Sequence, residues 1–145
     1  MATIVFDELR DAQLGNPTHS VIDFDTDVIA SSLLDATDAN GGVALTAANV
    51  VDYADVNDVV VVHDEEAHAS KTVGTVAAGV YDAANLVMSA VSGDQADYLT
   101  VHKDTGTPTT SPLSHVYDSA TTGLPVLPNG GNITTTWAGG GILAI

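Results

Sequence analysis

Residues 98–119 constrain the fold most tightly, because this stretch predicts two strands joined by a loop of turn-forming residues, YLTVHKDTGTPTTSPLSHVYDS. Leu99 and Val101 share one face of the first strand, as the two-residue period of a strand requires. Its polar and aromatic residues share the other face: Tyr98, Thr100 and His102. The connection 104–112 is too rich in Pro for a helix and too long for a tight turn. We therefore expect an exposed loop of about nine residues between two paired strands.

The C-terminal part of the chain is almost free of charge. From Thr105 to Ile145 the only formally charged side chain is Asp118. Apolar side chains recur through this segment between Gly and Pro breaks: Val116, Val126, Leu127, Ile133, Trp137, Ile142 and Leu143. A segment of this composition is poor material for a disordered tail. We expect it to be built into a sheet and to end in that sheet.

Short strands are predicted through the rest of the chain. The stretch 21–34 predicts a half-buried strand or strand pair, because Ile22 and Phe24 fall in phase. Carboxylates alternate onto its opposite, solvated face: Asp23, Asp25 and Asp27. Four further stretches predict strands: 43–46, 59–62, 73–81 and 86–91. Residues 64–70 are the most hydrophilic part of the chain and predict a loop.

One helix is predicted, over residues 5–14, and Gly15-Asn16-Pro17 ends it. No long helical pattern alternates with the strands, which disfavours a parallel α/β sheet. We expect residues 1–145 to form a single all-β domain. The architecture that fits is an antiparallel β-sandwich or a jelly-roll-like barrel with one short N-terminal helix.

The charge balance is strongly acidic, with three basic residues against nineteen acidic ones and a net charge of −16. Such a surface repels phosphate backbones and anionic membranes, so we expect neither nucleic acid nor membrane as a partner. Sixteen of the nineteen acids are Asp, and Lys is nearly absent. This composition is typical of proteins that work in high salt, and an ordinary acidic protein surface is the alternative.

Other features of the sequence argue against disulfides, thiolate metal sites, a membrane span and a signal peptide. The chain contains no cysteine, so neither disulfides nor thiolate metal sites stabilise it. No apolar run approaches the about 18 residues of a membrane span. The first residues, MATIVFDE, lack the basic start and apolar core of a signal peptide. We expect synthesis in a cytoplasm without export by that route.

The residues 63–68, HDEEAH, form the richest cluster of potential metal ligands. Its histidines are five apart, whereas the zinc-protease signature places them four apart. The carboxylates alone can hold Ca²⁺ or Mg²⁺, and so can the evenly spaced Asp23, Asp25 and Asp27. The three Asp residues do not complete a calcium loop, because its glycine and its bidentate Glu are missing. We therefore expect solvated acidic side chains, and no metal or cofactor.

Catalysis is also disfavoured. His102 and His115 can lie opposite each other across the predicted hairpin, near Ser111 and Ser114. No Gly-x-Ser-x-Gly elbow accompanies them, so we expect no enzyme. Trp137 ends a Thr-rich strand and is a candidate sugar-binding platform, although a lone Trp in a β-sandwich more often belongs to the core or to an interface.

Several local patterns carry a resemblance to a known family. They are Lys103-Asp-Thr-Gly, Thr-Ser-Pro-Leu at 110–113, an Asn129-Gly-Gly-Asn turn into a Thr-rich strand ending at Trp137, and a final Gly-Ile-Leu-Ala-Ile. Asp23-Phe-Asp-Thr-Asp-Val-Ile is similar to an opening strand of the same family. Together they resemble small β-rich virion structural proteins of tailed bacteriophages and tailed archaeal viruses. The match covers both ends and about half of the chain, and residues 36–77 depart from the pattern.

The resemblance implies a structural role in a virus particle. It points to a capsid decoration (cement) protein on the outer shell that is assembled in the host cytoplasm. The implied partners are the major capsid protein and sister copies, with which the chain would form a trimer. It implies no catalytic residues. The candidate contacts are the apolar side chains of the uncharged segment: Val126, Leu127, Ile133, Trp137, Ile142, Leu143 and Ile145. The alternatives are a tail or head–tail connector component and a host-surface glycan-binding module.

The charge balance predicts that stability rises with salt. The screening length falls from about 30 Å at 0.01 M salt to about 3 Å at 1 M, so the carboxylates cease to repel one another. We expect the Tm to increase along a series of about 0.05, 0.5 and 2 M KCl, followed by circular dichroism. A flat Tm across the series would contradict the high-salt interpretation of the composition.

Overall fold

The computed structural model describes residues 3–5, 9, 21–35, 45, 52–57, 61–118 and 123–144. Within these residues the elements with defined bounds are β1 (Thr3–Val5), β2 (Ile29–Leu34), α1 (Ala54–Asn57), β3 (Val61–Ala67), β4 (Thr72–Val73), β5 (Val80–Asp82), β6 (Leu86–Met88), β7 (Tyr98–Lys103), a 3-10 turn (Pro108–Thr110), β8 (Leu113–Tyr117), β9 (Ile133–Thr135) and β10 (Leu143–Ala144). All pairings between these strands are antiparallel.

The hairpin predicted from the sequence forms the centre of the molecule. β7 and β8 pair with Leu99 opposite Tyr117 and Val101 opposite His115. The loop 104–112 joins them, as predicted. They occupy the middle of a five-stranded sheet with the order β1-β8-β7-β2-β3. Two smaller sheets, β10-β5-β4 and β6-β9, complete the strand pairing among the described residues.

Other parts of the chain bury both faces of the central sheet. The front face carries Leu33, Leu99 and Tyr117, which share one core cluster with apolar side chains of β5, β6 and β10. The back face carries Leu34 and Val116, which share a second cluster with residues in and near α1: Leu45, Tyr53 and Val56. The fold is therefore all-β and built of antiparallel sheets, as predicted. The described strands form no closed barrel.

The predicted stretch 21–34 forms a strand only in its second half, as β2, whereas its first half contains a turn at 24–26, so the strand predicted over 21–27 is wrong. Asp23 Oδ1 accepts the backbone N–H groups of Asp25 at 3.0 Å and Thr26 at 3.4 Å, and Asp27 Oδ2 accepts the N–H of Asp23 at 2.7 Å. These side-chain acceptors replace a strand partner, which is how Asp competes with sheet formation. The two apolar residues expected in phase are nevertheless buried: Ile22 and Phe24.

Both lysines of the chain hold this acidic turn. Lys103 Nζ lies 2.9 Å from Asp27 Oδ2 and donates to the carbonyl of Val21 at 3.0 Å. Lys71 Nζ donates to the carbonyl of Asp27. Because the Lys103–Asp27 pair is mostly buried, it is screened less by salt than an exposed pair.

The hydrophilic stretch 64–70 was predicted to be a loop, but residues 64–67 belong to strand β3. β3 continues through Ala67 and pairs along β2, with Ala67 opposite Ala30 and Glu66 opposite Ser31. The composition favours a loop, but β2 offers an unpaired edge, and backbone pairing with that edge decides the conformation.

The remaining predictions were partly correct. The stretch 73–81 is interrupted by an exposed loop between β4 and β5, and the stretch 86–91 forms a strand only over Leu86–Met88. In 43–46 only Leu45 is described, and it is buried outside regular structure. Residues 59–60 lie outside the described residues.

The predicted N-terminal helix needs correction at its start. Val5 lies in β1 and pairs with His115 of β8, so it extends the central sheet. Leu9 is helical and buried, and the other residues of 6–14 lie outside the described part of the chain. The helix with defined bounds is α1, at 54–57.

The C-terminal segment ends in a sheet, as predicted. In β10, Leu143 pairs with Tyr81 of β5, and the N–H of Ile142 donates to the carbonyl of Tyr81 at 2.8 Å. Gly141 precedes this contact with a φ of +90°. A Cβ at Gly141 would meet the Val80 side chain and would lie 3.0 Å from the Tyr81 carbonyl oxygen. The absence of a side chain therefore lets β10 approach β5.

Gly141→Ala should destabilise the protein more than Gly106→Ala, which is a matched control. Gly106 has a φ of +77°, but a Cβ there meets nothing within 4 Å. Both variants incur the left-handed strain of about 1–2 kcal/mol. Only Gly141→Ala adds a clash, of about 1–3 kcal/mol. Urea unfolding measures both, and equal losses would show that β10 does not depend on this close approach.

Candidate functional site

The described residues enclose an open, mostly apolar groove of about 440 Å³. Its floor is formed by front-face residues of the central sheet, Leu33, Leu99 and Tyr117. Its walls come from the C-terminal segment: residues 123–124, Val126, residues 133–138 and Gly141. None of these lining residues carries a formal charge. We call this cavity the C-terminal groove.

Backbone pairing fixes both walls. Ile133 of β9 pairs with Met88 of β6, and Met88 is fully buried. Val126 exchanges two backbone hydrogen bonds with Ala96, at 2.9 and 2.8 Å. The groove is thus bounded by paired backbone, which holds its shape without a ligand.

Trp137 stands in one wall with its polar group already used. Its indole N–H donates to the carbonyl of Ala84 at 3.0 Å, and its ring lies 6.1 Å from Tyr117 and 5.5 Å from His68, centroid to centroid. The side chain is half-buried. A ligand in the groove therefore meets an apolar ring and not a free donor. The packing of the ring against the core cluster agrees with the core or interface role that the sequence favoured over a sugar platform.

The candidate contact residues fall into three groups. Val126, Ile133 and Trp137 line the groove and are half-buried. Leu127 is 72% exposed. Two others belong to the core cluster, each 6% exposed: Ile142 and Leu143. Ile145 lies outside the described residues. The uncharged C-terminal segment therefore contributes some of these residues to the core and others to the surface. Its composition does not show which residues go where.

A serine–histidine pair that the sequence did not single out lies inside the front core. Ser31 Oγ is 2.8 Å from His68 Nε2, and His68 Nδ1 is 2.8 Å from the Tyr81 hydroxyl. Ser31 is fully buried and His68 is 6% exposed. Since no substrate reaches a buried hydroxyl, this arrangement acts as a satisfied polar network within the core.

His102 and His115 do not face each other as considered from the sequence. His115 is opposite Val101 on the front face, whereas His102 lies on the back face and stacks on Tyr53 at 4.1 Å. His102 Nε2 lies 2.9 Å from Glu65 Oε1. The sheet itself therefore separates the two imidazoles.

The serines near this hairpin are engaged separately. Ser114 Oγ is 2.8 Å from the Nδ1 of its neighbour His115. Ser111 Oγ donates to the carbonyl of Thr107 at 3.0 Å, inside the loop. The described residues thus assemble none of the Ser–His–Asp sets that this part of the sequence suggested.

The acidic cluster 63–68 is divided by strand alternation. Glu65 reaches His102 on the back face, whereas His68 bonds Ser31 and Tyr81 on the front side. No group of three or more His, Asp, Glu or Cys side chains among the described residues is placed to hold a metal ion.

Burial shifts two histidines in the front core. Desolvation lowers the pKa of His115 to about 3. Desolvation, followed by the charges of His102 and Lys71, lowers the pKa of His68 to about 4. In the unfolded chain a histidine has a pKa of about 6.5. The unfolded state therefore binds more protons below pH 6.5, and the fold loses stability as the pH falls from 6.5 towards 4.

We predict that His68→Gln weakens this pH dependence. Between about pH 7.5 and pH 5, His68 should remove about 2 kcal/mol of stability from the wild type, from about 1.5 pKa units at 1.36 kcal/mol each. The variant lacks this loss, because Gln does not titrate. Urea unfolding at the two pH values measures the difference. Parallel pH profiles for the two proteins would show that His68 is not held neutral by the fold.

Comparison with known proteins assigns no family. No model of a known protein family matches this chain, and no curated protein matches it. No helix among the described residues is long and apolar enough to cross a membrane. The fold and the groove therefore define this molecule as an all-β protein with an uncharged apolar groove.

Proposed function

We propose that this chain is a structural protein of a tailed-virus particle that decorates the outer surface of the capsid and stabilises the shell. The observation that carries the proposal is the C-terminal groove, which is uncharged and apolar in a chain of net charge −16. The turn and strand patterns that resemble those of small virion structural proteins support the same role. The buried serine–histidine pair gives no support to an enzyme.

In this role the domain acts as a clamp between neighbouring subunits. The groove and Leu127 offer apolar surface without a carboxylate to desolvate, so their burial against the shell is favourable. Exposed acids such as Asp23, Asp25 and Asp94 remain in water. The apolar residues that would contact the shell are thus different from the charged residues that remain in water. Protein interfaces with an apolar core and a polar rim show the same separation.

Two other roles compete with this one. A tail or head–tail connector component would use the same apolar surface at fewer positions. A host-surface module would bind glycans at the Thr-rich wall beside Trp137. The floor of the groove is formed by Leu33, Leu99 and Tyr117, and Trp137 is half-buried against the core cluster. The groove therefore favours contact with protein.

The copy number per particle tests the proposal. Particles of the virus that encodes this chain are purified, and the chain is quantified against the major capsid protein by mass spectrometry with isotope-labelled peptides. We expect hundreds of copies, because a closed shell repeats each surface site many times. A few dozen copies or fewer would indicate a connector or tail component. Absence from particles would overturn a virion role altogether.

A further inference from the structure

A row of aromatic rings runs from the front core to the wall of the C-terminal groove. The indole ring of Trp137 lies 5.5 Å from the imidazole of His68, and that imidazole stacks on the ring of Tyr81 at 6.0 Å, centroid to centroid. Tyr117 is a second ring neighbour of Trp137, at 6.1 Å. Trp137 is half-buried in the groove wall, whereas Tyr81 is 3% exposed and Tyr117 is 4% exposed. A reactive solute in the groove therefore meets Trp137 before either buried tyrosine.

The two tyrosines differ in what their hydroxyl groups contact. The Tyr81 hydroxyl lies 2.8 Å from His68 Nδ1, whereas the Tyr117 hydroxyl donates to the carbonyl of Ile142. An imidazole nitrogen is a base within reach of the phenolic proton, and a peptide carbonyl is not a base. Because the phenol is the better donor, we assign Nδ1 of His68 as the acceptor and Nε2 as the group that donates to Ser31 Oγ, 2.8 Å away.

His68 is neutral and ready to accept a proton at neutral pH. Desolvation, followed by the charges of His102 and Lys71, lowers its pKa to about 4. An oxidised phenol is a far stronger acid than an imidazolium, so it transfers its proton to His68 in spite of this low pKa. Tyr117 lacks such an acceptor, and its oxidation would leave an uncompensated positive charge in the core.

We propose that these residues form a one-electron relay, in which Tyr81 restores Trp137 after a one-electron oxidant has attacked the groove wall. The oxidant, a radical of the kind that light or peroxide generates, takes one electron from the indole. Tyr81 then gives one electron to the oxidised indole and its hydroxyl proton to His68 Nδ1. The products are neutral Trp137, a neutral tyrosyl radical and protonated His68, so atoms and charge balance. A small one-electron reductant such as ascorbate returns the electron, and His68 returns the proton.

The direction of transfer follows from the chemistry and burial of the two end groups. At neutral pH a tyrosine that loses its proton together with its electron is easier to oxidise than a tryptophan. The Trp137 N–H donates to the carbonyl of Ala84, which is no base, so the oxidised indole gains no such help from this partner. The radical on Tyr81 is then held in the core, away from solutes that would add to it. This activity is independent of the virion role.

Pulse radiolysis of the wild type tests the relay directly. Azidyl radicals oxidise Trp137, which is the only tryptophan of the chain, and transient absorption follows the indolyl and tyrosyl radicals separately. We expect the indolyl signal to decay into a tyrosyl signal at a rate that does not depend on protein concentration. The rate should fall in D2O, because a proton moves with the electron. An indolyl radical that decays without forming a tyrosyl radical would overturn the proposal, and so would a rate proportional to protein concentration.

Tyr81→Phe and Tyr117→Phe form a matched pair, because each removes one buried hydroxyl group from the row. Tyr81→Phe should abolish the tyrosyl signal, whereas Tyr117→Phe should leave it unchanged. His68→Gln should slow its formation at least about tenfold, because a positioned base contributes about a hundredfold or more to proton transfer. Equal effects of the two Phe variants, or loss of the signal in Tyr117→Phe alone, would overturn the assignment to Tyr81. Circular dichroism confirms that each variant is folded.

High-field electron paramagnetic resonance of the freeze-quenched wild type identifies the radical without any substitution. A radical on Tyr81 accepts a hydrogen bond from protonated His68, and this bond lowers the largest g value of a tyrosyl radical. A radical on Tyr117 would face the carbonyl of Ile142, which donates nothing. We expect the hydrogen-bonded spectrum, and a spectrum without a hydrogen bond would overturn the proposal.

Discussion

The fold depends on burying the β7–β8 pair on both faces. Residues 99–102 and 113–117 are all buried, although four of them are polar: Thr100, His102, Ser114 and His115. Burying a polar group without a partner costs about 1–3 kcal/mol. Each of the four has at least one hydrogen-bond partner inside the protein, but His102 Nδ1 and His115 Nε2 have none. Thr100 Oγ1 accepts the backbone N–H of Ser32 at 3.1 Å, and Ser32 Oγ lies 2.6 Å from the Tyr53 hydroxyl. The back-face layer is therefore tied to the sheet by hydrogen bonds as well as by apolar contact. Burial lowers the pKa of His115, which joins the packing of the sheet to its response to acid.

Local patterns predicted the elements whose partners are close in sequence. The hairpin 98–117 was predicted with its faces and its loop, because strand alternation and turn residues are both local signals. The same alternation was misleading at Asp23, where the carboxylate binds backbone N–H groups of its own turn. Hydrophilic composition was misleading at Glu66, where it predicted a loop although the residue pairs with Ser31, 35 positions earlier. A competing local hydrogen bond decided the first conformation, and a partner distant in sequence decided the second.

The candidate site was only partly predictable for the same reason. The absence of charge marked the segment 105–145 as one that would be built into the fold, and its end in β10 confirms this. It could not separate Leu143, buried against β5, from Leu127, exposed beside the groove, because both are leucines between turn residues. That difference depends on which strand each one reaches. The groove itself needed the floor residues Leu33 and Leu99, which come from other parts of the chain.

The residues that line the groove carry no formal charge. Lys71 and Lys103 both bind the turn 21–27, and Glu65 is paired with His102. None of these three charged residues lines the groove. A contact made through the groove contains no ion pair for salt to weaken. The repulsion that opposes it comes from more distant carboxylates, and salt screens distant exposed charges most effectively. Salt should therefore increase the affinity of such a contact without changing its geometry. An interface built on Lys–Asp pairs would respond in the opposite direction, because the same salt would screen the attraction that holds it together.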